Sequence, residues 1–217
     1  VICGMENGFI IIFDLETGEE VQLLLGHQKR VSCLALSRSE TILASGSWDK
    51  TAILWNLDSY EQLSVLQLKS PVYALDFSVD GQRLFTGSHD GYLSSFEATG
   101  SRKLLNSTPA HGLLVRSLCT TTDGQYVATA SWDDTSIKLW KADTLDIEAT
   151  FVGHGVTCVV ATDSGKENPM LVSSSYDRPI KIWDLKTYQE IHTLEGYQDC
   201  VNSVAVSDDK KHIISGG

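Results

Sequence analysis

GHQKRVSCLALSRSETILASGSWDKTAILWN, residues 26–56, decides the fold. A Gly-His pair opens it, Ser45 and Asp49 mark a Ser-x-x-x-Asp step, and Trp55 comes near its end. The pattern recurs. Trp55, Phe96, Trp140 and Trp183 follow one another by 41, 44 and 43 residues, and Phe13 stands 42 residues before Trp55. His27, His111 and His154 keep the same beat, with one unit skipped between the first two. Six residues before most of these aromatics is a turn acid or amide: Asn7, Asp49, Asp90 and Asp177. In the third unit the stretch SWDDTS carries an extra residue; Asp133 is the expected match there and Asp134 the insertion. A repeat of this length means a stack of identical supersecondary units.

Each unit reads as four short strands. In the first complete one these are VSCLALS, ILASGS, TAILWN and QLSVLQL, apolar or alternating and rich in Val, Ile, Leu and Thr. Turn chemistry separates them: Asp80-Gly81, Asp123-Gly124, Asp208-Asp209 and Asp49-Lys50. No window carries a helical stripe. Strands at this spacing, with no helices between them, predict an all-β chain of antiparallel four-stranded sheets repeated radially.

The strings GHQKRV…ASGSWDKTAILWN and GHGVTCV…SSSYDRPIKIWD resemble WD repeats, the blades of a β-propeller. Only Trp183-Asp184 keeps the literal dipeptide; Trp55-Asn56, Trp140-Lys141, Phe96-Glu97 and Phe13-Asp14 have drifted. The resemblance implies a β-propeller of four-stranded antiparallel blades with about five repeat periods. On this register residues 1–25 form a partial blade, 26–66 a blade and 67–108 a degenerate blade. Residues 109–151 and 152–194 form two further blades, and 195–217 a second partial one. Gly4 and Gly216 both align with Gly46, five periods apart. Propellers of this kind most often have seven blades, about 294 residues at this period, so the chain reads as an internal fragment of a larger ring. A closed five-bladed ring is the alternative.

Composition sets further bounds. The 217 residues are 42% hydrophobic, enough for a large core shared among blades. Seventeen basic against 28 acidic residues give a net charge of −11, which argues against non-specific nucleic-acid binding. No apolar run reaches the length of a membrane span. The five cysteines, Cys3, Cys33, Cys119, Cys158 and Cys200, are odd in number and form no CxxC pair. Cys33 and Cys158 share a repeat position filled elsewhere by Ala74, Ser117 and Ser203, so they read as small buried thiols on an innermost strand. Free thiols fit the cytosol or nucleus. His192 and His212 stand alone, so no metal or cofactor site is expected.

The resemblance implies a hydrogen-bonded chain inside each blade, in which Asp accepts from imidazole, imidazole meets a hydroxyl, and the hydroxyl meets the indole N–H. The matching residues are His27, Ser45, Asp49 and Trp55; His111, Thr129, Asp133 and Trp140; and His154, Ser173, Asp177 and Trp183. His, Asp and Ser are also the ingredients of a nucleophilic triad. A catalytic set should occur once, whereas this one recurs in phase with the fold, so it reads as structural. The unit around QLKSPVYALDF breaks the pattern: Leu68 falls where the His would align, and Phe96 replaces the Trp. Thr86 and Asp90 lose two partners, and Asp90 needs another donor.

Function must come from what the repeat does not fix. Alternation along SGSWD turns the Asp inward and its predecessor outward, which selects Trp48, His89, Trp132 and Tyr176. A second ring follows the Val that opens each inner strand: Ser32, Tyr73, Arg116, Thr157 and Asn202. By resemblance both rings face the narrow end around the central channel, where such propellers often grip peptides. Aromatic and Arg side chains there suit a protein interface. The bland reading is packing of aromatics over neighbouring turns. The loop DSGKENPM, residues 163–170, reads as a surface excursion, and its Gly165-Lys166 lacks the surroundings of a phosphate site. The expectation is a non-catalytic scaffold that binds proteins or peptides as part of a larger complex. The alternatives are a receptor or regulatory module of a ubiquitin ligase, an NTPase-linked sensor or a ribonucleoprotein, and, least favoured, a propeller-fold enzyme.

Overall fold

A computed structural model describes residues 1–217 except 132, 153–154, 164–168, 178 and 208. Among the described residues all regular structure is β-strand. An N-terminal sheet holds β1 (Ile2–Gly4), β2 (Ile10–Phe13) and β3 (Glu20–Leu24). Blade I holds β4 (Val31–Leu36), β5 (Ile42–Ser47), β6 (Thr51–Asn56) and β7 (Gln62–Gln67). Blade II holds β8 (Val72–Phe77), β9 (Arg83–Ser88), β10 (Tyr92–Glu97) and β11 (Leu104–Pro109). Blade III holds β12 (Ser117–Thr120), β13 (Tyr126–Ser131), β14 (Ser136–Lys141) and β15 (Ile147–Val152). Blade IV holds β16 (Val156–Asp163), β17 (Pro169–Ser175), β18 (Ile180–Asp184) and β19 (Gln189–Leu194). The pair β20 (Ser203–Val206) and β21 (Ile213–Gly216) follows.

Strands pair in chain order within each sheet, and every pair is antiparallel. The inner strands β4, β8, β12, β16 and β20 lie against one another in turn, which sets the sheets radially as propeller blades. Burial follows from that geometry. In β5, β9 and β13 every residue after the first is buried, because both faces are covered by neighbouring blades. In β7 and β15 only Leu66 and Phe151 are buried, and β19 is exposed throughout. This is why the middle strands read as unbroken runs of apolar and small residues while the outer ones alternate.

The cores lie between blades. Ala44 and Leu54 of blade I meet Val72, Phe77 and Phe96 of blade II. Phe85 and Leu93 of blade II meet Val127 and Trp140 of blade III, and Leu139 and Phe151 of blade III meet Leu171 and Trp183 of blade IV. Close approach explains Gly46: a Cβ there would stand 2.6 Å from the Val72 side chain on the next inner strand.

The drifted second letter of the WD dipeptide has a local task. The side-chain oxygens of Asp14, Asn56 and Asp184 each accept the N–H groups two and three residues ahead, closing the turn into the outer strand. Asp and Asn serve equally; Lys141 has no such acceptor. The turn between second and third strands needs a left-handed residue, supplied by Gly8, Lys50, Gly91 and Thr135. At Gly91 a Cβ would lie 2.2 Å from the His111 carbonyl oxygen, so only glycine fits.

Hydrogen bonds also tie inner strands to their neighbours. Ser32 Oγ donates to the Val72 carbonyl, and Thr157 Oγ1 donates to the Val201 carbonyl and meets Ser174 Oγ at 2.8 Å. Between blades II and III the tie is a half-buried carboxylate: Asp76 accepts the Thr120 N–H and Oγ1–H at 2.7 and 2.8 Å. Burial pushes the Asp76 pKa up despite these bonds. All five cysteines are free and half-buried, and desolvation of the Cys33 sulfur pushes its pKa up to about 12.

Candidate functional site

Blade I carries the full network. Trp55 Nε1–H donates to Ser45 Oγ at 2.8 Å, that hydroxyl meets His27 Nε2 at 2.8 Å, and His27 Nδ1 meets Asp49 Oδ2 at 3.0 Å. Thr51 Oγ1–H and the Gln28 N–H also reach the Asp49 carboxylate, at 2.6 and 2.8 Å. Desolvation raises the Asp49 pKa, but the Thr51, Gln28 and His27 donors outweigh it and hold it below the ordinary value.

Blade III repeats the arrangement with one correction. His111 Nδ1 meets Asp134 Oδ2 at 2.8 Å, and Asp133 is exposed, with its N–H on Ser131 Oγ. The extra residue therefore lies before the carboxylate, not after it. The left-handed turn residue is Thr135, in the place of Lys50, which makes Asp134 the counterpart of Asp49. Counting six residues back from Trp140 also lands on Asp134. Thr129 Oγ1 joins His111 Nε2 and Trp140 Nε1 at 2.9 and 2.8 Å. Burial pushes the His111 pKa down, and its hydrogen bond to Asp134 only partly opposes this.

In blade IV, Trp183 Nε1–H donates to Ser173 Oγ at 2.9 Å, and Asp177 accepts the Gly155 N–H at 3.3 Å. His154 lies outside the described residues, as do Trp132 and residues 164–168 of the loop. Blade II has neither ring. Ser88 Oγ–H donates to Asp90 at 2.5 Å, giving that carboxylate its substitute donor, and the buried Thr86 Oγ1 has no partner.

At the end of the sheets where the second and third strands turn, an aromatic ladder crosses from blade I to blade II. The Trp48 and Tyr73 ring centres are 5.8 Å apart, and those of Tyr73 and His89 are 5.9 Å apart. Arg30 lies over Trp48 at 5.3 Å and pairs with Glu6 at 3.5 Å. Trp48 remains 38% exposed and Tyr176, at the equivalent turn of blade IV, 58%. Arg116 and Asn202 are exposed as well. Thr157 is a correction: it is buried and its hydroxyl is spent on the tie to Val201. Ser32 is half-buried with its hydroxyl similarly engaged. An inner-strand residue leans against the next inner strand, so a small hydroxyl there finds a neighbouring carbonyl, as Ser32 and Thr157 do, while the longer Tyr73 side chain reaches the ladder.

Arg30 and Glu6 do not emerge from the repeat pattern. The signal for Arg30 is its pairing: the Trp48 N–H donates to the Arg30 carbonyl at 3.0 Å, which seats the residue before an inner strand beside the turn. Among the described residues no group of His, Cys, Asp and Glu is placed to hold a metal, and no helix is long and apolar enough to cross a membrane.

These blades, with their indole–hydroxyl–imidazole–carboxylate chains, have a match in the WD domain, G-beta repeat family, over residues 18–56, 61–96, 102–141, 146–184 and 188–217. The chain belongs to the WD-repeat family. Serine-threonine kinase receptor-associated protein of Gallus gallus is 23% identical over 218 residues, covering 100% of this chain and 60% of that protein. Pre-mRNA-splicing factor cwf17 of Schizosaccharomyces pombe is 27% identical over 183 residues, covering 83% and 53%. Periodic tryptophan protein 2 of Saccharomyces cerevisiae is 31% identical over 109 residues, covering 49% of this chain and 12% of that one. The chain thus spans at most 60% of the length of these WD-repeat relatives. Among solved structures, a chain in a crystal structure of the mitotic checkpoint complex superposes with a TM-score of 0.89 at 23% identity, covering 99% of this chain and 67% of that one. That likeness is one of fold.

Proposed function

We propose that this WD-repeat chain is a non-catalytic interaction scaffold that binds a protein segment on the Arg30–Trp48–Tyr73–His89 ladder. The observation that carries the reading is the continuity of the ladder across two blades, with Trp48 still 38% exposed and a cation over its face. Rigid rings give large contact area at low entropic cost, and Arg beside Trp is the pairing enriched at interface hot spots. Tyr176, Arg116 and Asn202 extend the same end of the molecule toward blade IV, and the repeat register of the sequence assigns Trp132 to the same ring. The His–Asp–hydroxyl sets serve the blades, since each is closed by an indole and recurs with the repeat, so no catalytic role is assigned to them. Names such as receptor-associated protein and splicing factor, and the checkpoint complex, support a role inside a larger assembly. Free thiols suit the cytosol or the nucleus.

The test is capture of partners from a cell extract by wild type and by a Trp48→Ala, Tyr73→Ala double variant of matched melting temperature. Selective loss of a partner supports the ladder as the binding surface. An unchanged partner set at equal stability overturns it.

A further inference from the structure

The missing rings of blade II leave a space, and that space has a chemistry. A cavity of about 160 Å³ opens between Leu68, Asp90 and Phe96, the three positions that hold imidazole, carboxylate and indole in blade I. It is close to the ~150 Å³ of an apolar cavity known to take benzene. Its walls are not apolar throughout, because Ser88, Ser94 and Ser107 line it too. On the strand beside Ser94 is Thr86, fully buried, its hydroxyl without a partner. Thr86 pairs directly with Ser94 across β9 and β10, so both side chains point to the same face of the sheet. Gln67, Tyr92 and Leu104 at the mouth are exposed, and the cavity is therefore reachable from solvent.

Blades I and III show what spans such a gap. In each a neutral imidazole can donate from Nδ1 to the carboxylate and accept at Nε2 from the hydroxyl, over 3.0 and 2.8 Å in blade I and 2.8 and 2.9 Å in blade III. Blade II keeps the carboxylate and the hydroxyl and lacks the ring. We infer that this cavity is a binding site for a neutral one-ring nitrogen heteroaromatic of the imidazole class, which donates to Asp90 and turns its ring nitrogen toward the hydroxyls on the Thr86–Ser94 face. Lys69 at the rim opposes a second cation, so the uncharged ring is the form that binds. The ring comes either as a free small molecule or as the histidine side chain of a partner.

The experiment uses imidazole itself at pH 8, with benzene as a ring of equal size that has no N–H. Saturable binding is read from melting temperature and from shifts of the Thr86 and Ser94 amide resonances. Imidazole should raise the melting temperature by mass action. Asp90→Asn should weaken binding about tenfold or more, the loss expected for a hydrogen bond to a charged acceptor. Leu68→His and Phe96→Trp put the chain's own ring into the space, so both should melt higher than wild type and lose the imidazole response. No saturable binding, an equal response in wild type and Leu68→His, or an equal response to benzene would each overturn the proposal. N-acetylhistidine methylamide separates the sources: binding by it as well as by imidazole assigns a partner's histidine, and binding by imidazole alone assigns a free ligand.

Discussion

Blades I and II have the same four strands, the same register and the same turn, yet they are held differently. In blade I a continuous path of hydrogen bonds runs from Trp55 through Ser45 and His27 to Asp49, with Thr51 and Gln28 filling the remaining acceptor sites. In blade II the path is cut at both rings, Asp90 leans on Ser88, and Thr86 is left without a partner. Apolar packing carries the difference, since Leu84, Phe85, Leu93 and Phe96 are all buried. The fold thus needs the inter-blade cores in every unit and the polar network in only some of them. A buried network is worth having when every member is satisfied and becomes a liability when half of it is lost.

The comparison is sharpest under truncation. Trp55→Ala should cost about 3–5 kcal/mol, because it opens a cavity against the N-terminal sheet and takes one of the Ser45 hydroxyl's partners. Asp49→Ala should cost about 2–3 kcal/mol through the donors left behind, whereas Asp90→Ala should cost about 1 kcal/mol or less, because Ser88 Oγ–H can turn to the Tyr92 carbonyl instead. Chemical denaturation of the three variants measures this; equal losses for the two Asp variants would break the contrast between the blades.

Blade III supplies a finer version of the same test. Asp134→Ala should cost about 2 kcal/mol and Asp133→Ala less than about 0.5 kcal/mol, as one carboxylate is in the network and the other faces solvent. The reverse order in a denaturation series would restore Asp133 to the network.

The smallest effect is in pH. Burial holds the His111 pKa below its ordinary value, so the unfolded chain binds the proton more readily than the folded one. The stability this ring contributes is complete above about pH 6.5 and is lost as pH falls below it. Asp134, also held low, adds a further loss as pH drops through the carboxylate range. Blade II has Leu68 at the imidazole position. Hydrogen exchange at pH 7 and pH 5 should therefore show protection falling at the β13 amides more than at the β9 amides. Parallel changes in the two strands would remove the pH contrast.

The architecture was legible because period and strand alternation are properties of the backbone plan. A middle strand such as ILASGS has to be apolar or small on both faces, and the sequence shows that directly. The fine placement at SWDDTS was less legible. Two acidic residues compete for one position, and only the left-handed residue Thr135 settles which of them faces His111. The rim was harder still. Position along an inner strand sets where a Cβ points, but the length and polarity of the side chain decide whether it reaches solvent or bonds to the next blade. Tyr73 reaches the ladder; Thr157, at the same register two blades on, is consumed inside. Arg30 escaped notice because cation–π contacts depend on three-dimensional neighbours and not on spacing.

The tie between blades II and III has one more consequence. Asp76 is the one joint described above in which a half-buried carboxylate, pushed up in pKa by desolvation, spans two blades. A group of that kind favours the fold more as protons are added, the opposite of His111 and Asp134. As pH falls through the range in which Asp76 titrates, this seam gains stability while the interior of the blade beside it loses it. Two neighbouring parts of the molecule thus answer the same protons in opposite senses.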